Sequence, residues 1–176
     1  SAEGLDLNAT LDVASDASVS GTAGINSSAD AATTAGMADA DAKSTTITGA
    51  DLSGGIVDVG GIGSIAGQAN FGLSASSSNV SQKSEADAES TTATGLIGKA
   101  TATDGTFGID VASDSGLSGM AIGSLTADAS STAGIAEATA GESDLATGAL
   151  LPSLNVGGIS DLTGAAQLDT SATASN

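Results

Sequence analysis

The chain opens on an alternation. Leu5, Leu7, Ala9, Leu11, Val13, Ala17, Val19, Ala23 and Ile25 stand at odd positions, and Asp6, Asn8, Thr10, Asp12, Asp16, Ser18, Ser20 and Asn26 at even ones. A period of two points successive side chains to opposite faces of an extended chain, so the segment reads as a strand with one apolar and one polar face. Unbroken from Leu5 to Ile25 it would reach about 70 Å at about 3.3 Å per residue, several times an ordinary strand. It therefore either turns near Gly21 or belongs to an elongated object. The same alternation returns at Ile65, Gly67, Ala69, Phe71, Leu73 and Ala75, and at Phe107, Ile109 and Val111. Residues 28–42, SADAATTAGMADADA, are rich in Ala, but Ala alternates there with Asp, Thr and Gly and follows no 3.6 spacing, so strand is predicted over helix. Ala and Gly on a sheet face let facing sheets approach closely, and a core of small residues can then be dense without being bulky.

A second pattern is a duplication. Residues 11–43 laid on residues 109–141 without a gap agree at 17 of 33 positions. The match continues with Thr48, Gly49, Ala50 and Leu52 on Thr147, Gly148, Ala149 and Leu151, and with VDVGGIGSIAGQA on LNVGGISDLTGAA. Leu11 is exchanged for Ile109, Val19 for Leu117 and Met37 for Ile135, as two copies folding alike require. The expectation is an all-β chain of two tandem homologous β-sandwich-like units, 1–98 and 99–176, with long strands and small-residue (Ala/Gly/Ser/Thr) sheet packing. A β-solenoid is the alternative, set second because a period near 100 residues is too long for one solenoid coil. The second copy is the shorter: Ser175 meets Ser78, and nothing in it answers to residues 80–98. A sheet short of a strand exposes backbone N–H and C=O groups that pair readily with another chain. Residues 1–25 are the candidate donor strand for the second unit of a neighbouring copy, which would make a head-to-tail homopolymer. The alternative is an edge covered within the chain.

Composition narrows the functions. There is no Cys, His, Trp, Tyr or Arg, only three Lys, and a net charge of −18 on 21 acidic residues. Without His, Cys or Arg most acid–base, covalent and phosphate chemistry lacks its usual groups, so no enzyme and no catalytic residue is expected. A surface of this sign repels nucleic acid and anionic membranes, and no apolar run approaches the roughly 18 residues that would insert in a bilayer. Leu, Ile, Val and Phe make up only 33 of 176 residues. An ordered chain with so little bulky apolar surface needs packing between copies to supplement its core.

Three candidate features remain. Carboxylates alternate at Asp39 and Asp41 with Asp30 upstream, at Glu85, Asp87 and Glu89, and at Glu142 and Asp144, so each set shares a strand face. Such rows bind Ca²⁺ or Mg²⁺ weakly at most, without EF-hand or nonapeptide spacing, so neither a metal site nor a cofactor is expected. The pairs Gly54-Gly55, Gly60-Gly61 and Gly157-Gly158 lack the partners of a phosphate loop and read as turns or close packing. Asn8, Asn26 and Asn79 head N-glycosylation acceptor patterns. Together these point to an extracellular or cell-surface structural protein, a self-assembling filament, pilus-like fibre or matrix. A surface binding module of adhesin or ice-binding type, presenting hydroxyl rows such as residues 90–95, is the second expectation.

Overall fold

A computed structural model describes the backbone of residues 1–54, 56–97, 109–141, 144–149 and 154–176, and their side chains except those of 45, 90, 91, 97, 144–149 and 154. All of the regular structure in these residues is β. The strands are β1 (Ala2–Asp6), β2 (Thr10–Val13), β3 (Ala17–Thr33), β4 (Ala38–Asp51), β5 (Ile56–Val59), β6 (Gly63–Asn79), β7 (Ser84–Ile97), β8 (Ile109–Val111), β9 (Ser115–Ser131), β10 (Ala136–Ala140), β11 (Asp144–Ala149), β12 (Leu154–Val156) and β13 (Ser160–Ser175). They form three sheets. Sheet A runs β1-β4-β7-β10, with β11 also on β7; sheet B runs β12-β8-β5-β2; sheet C runs β13-β9-β6-β3.

Every pairing is parallel. Parallel neighbours need a long crossover between them. Here it consists of the strands of the other two sheets, so each pass of the chain visits A, then B, then C, and the next pass lies beside it. In sheet C, Ala17 pairs with Gly63, Gly63 with Ser115, and Ser115 with Ser160, steps of 46, 52 and 45 residues. Pairing also runs across residues 98/99, through β5–β8, β6–β9 and β7–β10.

This register accounts for the duplication. Leu11 pairs with Val57 and Val57 with Ile109, so Leu11 and Ile109 occupy one column two passes apart. Odd and even passes differ at the corner before sheet C. Odd passes carry Asp16 or Asp114, and even passes carry Gly60-Gly61 or Gly157-Gly158. The Asp16 carboxylate accepts from the Ile62 backbone N–H (2.8 Å), and Asp114 accepts from that of Ile159 (2.9 Å). A Cβ on Gly61 or Gly158 would stand 2.3 Å from the aspartate oxygen, so this corner takes glycine and the similarity is strongest every second pass.

The strand expected over Leu5–Ile25 is three strands, β1, β2 and the start of β3, broken at 7–9 and 14–16. The alternation survives because each break turns the chain around the same interior. Leu5, Leu7, Leu11, Ala17 and Val19 all pack on one cluster of Ala50, Leu52, Val57, Val59, Ile65, Leu96, Ile109, Val111 and Leu117. Residues 28–42 are strand, turn and strand, with Gly36 at φ 101° in the turn. Phe107 lies outside the described residues.

The interior has two parts. Where the three sheets meet it is wide and filled by Leu, Ile and Val. Beyond, sheets A and C face each other directly, and the layer is mostly Ala (Ala42, Ala69, Ala75, Ala86, Ala88, Ala121, Ala127) around Phe71, Leu73 and Leu125. Between the parts the two backbones nearly touch. A Cβ on Gly49 would lie 2.2 Å from the Gln68 nitrogen, on Gly67 2.0 Å from the Gly95 oxygen, and on Gly95 2.3 Å from the Met120 nitrogen. The cross-section therefore tapers from the B corner through a glycine pinch to the narrow turn end.

Candidate interaction surfaces

The three outer faces differ in chemistry because alternation sends one residue in two outward from each sheet. Sheet A is acidic: Asp39 pairs with Glu85 and Glu85 with Glu137, Asp41 with Asp87, and Lys43 with Glu89. The carboxylates of Asp39 and Asp41, and of Glu85, Asp87 and Glu89, thus share one face, while Asp30 lies on sheet C. Lys83, at the turn before β7, reaches Glu85 (2.9 Å) and Glu137 (2.6 Å) and ties two passes together. Its ammonium is held above the ordinary lysine value by hydrogen bonds to Glu137 first and Glu85 second. Lys43 is raised chiefly by its hydrogen bond to Asp41. A raised lysine contributes stability below its unfolded value of about 10.4 and loses it as pH rises through the folded value, so both bridges are intact at neutral pH. Glu142 and Lys99 lie outside the described residues, as does the side chain of Asp144. Among the described residues no three carboxylates converge as a metal cluster.

Sheet B carries an aspartate column. Asp12, Asp58 and Asp110 pair in sequence, and the fourth position is Asn155, whose Nδ2 donates to Asp110 Oδ1 at 3.1 Å. Like charges on adjacent strands, about 4.8 Å apart, repel, whereas an amide in the column donates. Asp58→Asn is therefore expected to stabilise the chain by about 0.5–1 kcal/mol, on the order of 2 °C in Tm. Thermal melts at two salt concentrations check this: the gain should shrink at high salt, where repulsion is screened.

Sheet C is hydroxyl-rich. Ser28, Ser74, Thr126 and Ser171 form one outward column, and Ala32, Ser78, Ser130 and Ser175 another. Shallow grooves run between such columns. Asn26 sits exposed on this face and Asn8 is exposed near the start of the chain. Asn79, the third glycosylation candidate, is 3% exposed and organises the turn between β6 and β7. Its Nδ2 donates to the carbonyls of Gly36 and Lys83, and its Oδ1 accepts from the Ser81 and Gln82 backbone N–H groups. This hub was not foreseen from the sequence, although its place at the end of the stretch repeated in the second copy was a signal.

No family model, curated protein or solved structure matches this chain. The surfaces themselves carry the reading. β3 and β13 are the edge strands of sheet C, 17 and 16 residues long. The inward row of β13 is largely uncovered: Leu162 is 48% exposed, where its column neighbour Leu117 is buried. Ile159 at the preceding corner is 71% exposed. Edges this long, with apolar side chains beside them, can extend the ladder with a further strand of the same kind.

Proposed function

We propose that this chain is a parallel β-solenoid serving as the structural subunit of an extracellular, self-assembling filament or matrix that grows head to tail by strand addition. The observation that carries this is the in-register parallel stack whose two sheet C edges, β3 and β13, each keep one side unpaired among the described residues. Each pass is held by the next through backbone ladders and small-residue packing, and the same interactions suffice to hold another copy. The three outer faces carry mainly carboxylates, hydroxyls and amides, groups suited to a solvated exterior. The acidic, small-residue composition supports the extracellular placement.

Assembly must overcome a net charge of −18 per chain. At about 0.01 M ionic strength the Debye length is about 30 Å and copies repel over their whole end faces, whereas at about 0.5 M the repulsion falls within contact range. Electron microscopy is expected to show short particles at low salt and long, thin fibres at high salt. Monodisperse particles in both would sink the filament. They would favour a second reading, a cell-surface binding module of adhesin or ice-binding type, for which the in-register hydroxyl columns of sheet C are the supporting observation.

A further inference from the structure

We infer that the two ends of the stack fit each other in one register, with β13 of one copy continuing into β3 of a second so that Leu162 lies beside Val19, Gly164 beside Gly21 and Ala166 beside Ala23. In the same contact β1 of the second copy enters sheet A beside β11. This rests on the filament reading and specifies its contact.

The glycine pinch selects the register. Within the chain Ala2 pairs with Ile47 and Ile47 with Ala93, and Leu5 reaches Leu96 through Ala50, so Ala2-Glu3-Gly4-Leu5 occupies the columns of Ala93-Thr94-Gly95-Leu96. Gly95 lies against sheet C at Gly119 and Met120, where an added Cβ would be 2.8 and 2.3 Å from their backbones. Gly164 is paired to Gly119. A docked β1 thus places Gly4 beside Gly164 as Gly95 stands beside Gly67, where an added Cβ on Gly67 would lie 2.0 Å from the Gly95 oxygen. A slip of two residues brings Leu162 or Ala166 to the place of Gly164, where a side chain would meet the docked backbone as a Cβ on Gly67 would meet Gly95.

Direction follows from the taper. Pairing two β13 edges about a two-fold axis would be antiparallel and would lay Leu162, near the wide corner, over Ala174 at the narrow end. Parallel docking lays residues of like size beside each other, Leu162 by Val19, Leu168 by Ile25 and Ala172 by Ala29. The corner column agrees as well. It reads Asp16, Ile62, Asp114, Ile159, and a second copy adds Asp16 next, keeping the alternation. The Ile62-to-Asp114 step, in which Gly63 N–H donates to the Asp114 carbonyl at 3.0 Å, is the pattern for the new one.

The absence of native cysteine permits a direct test by disulfide formation. Ser20 and Thr163 are exposed and share one outward column through Ala66 and Ser118. In the docked pair their Cα atoms stand about 4.8 Å apart, inside disulfide range, but within one chain they are three strands, about 14 Å, apart. Thr22 is two residues along, about 8 Å from Thr163 across the contact and out of range. Under mild oxidation in high salt, the S20C/T163C double variant should give a ladder of covalent multimers, and T22C/T163C and T163C alone should not. A ladder from T22C/T163C, a dimer from T163C alone, or no cross-link in any variant while the unmodified chain forms fibres would overturn this register and leave the filament standing. Absence of fibres from the unmodified chain would overturn the filament itself.

Discussion

Gly95→Ala is expected to destabilise the fold by at least about 3 kcal/mol, the upper part of the range for overpacked interiors. The reason is that the new methyl would meet backbone rather than side chain. Its Cβ would lie 2.3 Å from the Met120 nitrogen and 2.8 Å from both the Gly119 carbonyl carbon and the Met120 oxygen. A side chain can change rotamer, but the backbone of a central strand is held on both sides by its ladder. Relief requires sheets A and C to separate, which would loosen the alanine layer around Ala93 and Ala121. Gly67→Ala should cost as much, since its Cβ would stand 2.0 Å from the Gly95 oxygen. Gly116→Ala is the control. That glycine, in β9, has nothing within 4 Å of the added carbon, and its replacement should be neutral or stabilise by about 0.5–1 kcal/mol. Urea unfolding of the three variants decides the matter. Equal, small effects at all three positions would show that the sheets do not meet at the pinch.

Asn79→Ala should cost about 3 kcal/mol. The buried amide satisfies two carbonyls from different passes, Gly36 and Lys83, and two turn N–H groups, Ser81 and Gln82. Removing it strands several backbone groups, each worth about 1–3 kcal/mol when left buried without a partner. The surrounding turn is tied to both neighbouring passes, through Ser81 Oγ to the Thr34 carbonyl (3.2 Å) and Ser131 Oγ to the Gln82 carbonyl (3.0 Å). Loss of the hub therefore loosens three consecutive turns. Asn79→Asp separates its two roles: the carboxylate still accepts from Ser81 and Gln82 but opposes two carbonyl oxygens. It should be destabilising at neutral pH and partly rescued at acid pH, where the protonated carboxyl donates again. Thermal melts across pH 3–7, a range spanning the ordinary carboxylate value of about 4, read this out. A pH-independent loss equal to that of Asn79→Ala would show that the donor role contributes nothing.

Much of the fold was legible in the chain. The alternation at Leu5 to Ile25 and at Ile65 to Ala75 marked strands and most of their inward residues: Leu5, Leu7, Leu11, Ala17 and Val19 line one interior across two unforeseen corners, whereas Ala9 is exposed in the first of them. The acidic pairs Asp39 and Asp41, and Glu85, Asp87 and Glu89, were rightly placed on a strand face. The turn hub at Asn79 was hidden because an Asn-Val-Ser triplet looks the same on an exposed loop as in a buried turn. The glycine pinch was hidden for a similar reason: Gly49, Gly67 and Gly95 lie in three different strands of two sheets, and nothing local brings them together.

The sequence by itself determined that this protein is β throughout the described residues, which side chains of the strands face inward, with Ala9 the exception in a corner, and that one pattern recurs about 98 residues on. These follow from local physics, because a period of two exists in the extended chain before any partner is chosen. The tertiary structure alone decided that every strand pairs in parallel, that the chain returns after 46, 52 and 45 residues, and that the recurring unit spans two passes. An alternating strand offers the same two faces to a parallel or an antiparallel neighbour. The choice is made by contacts far apart in the chain, by glycine backbones meeting across the interior and by Asp16 and Asp114 reaching the next pass.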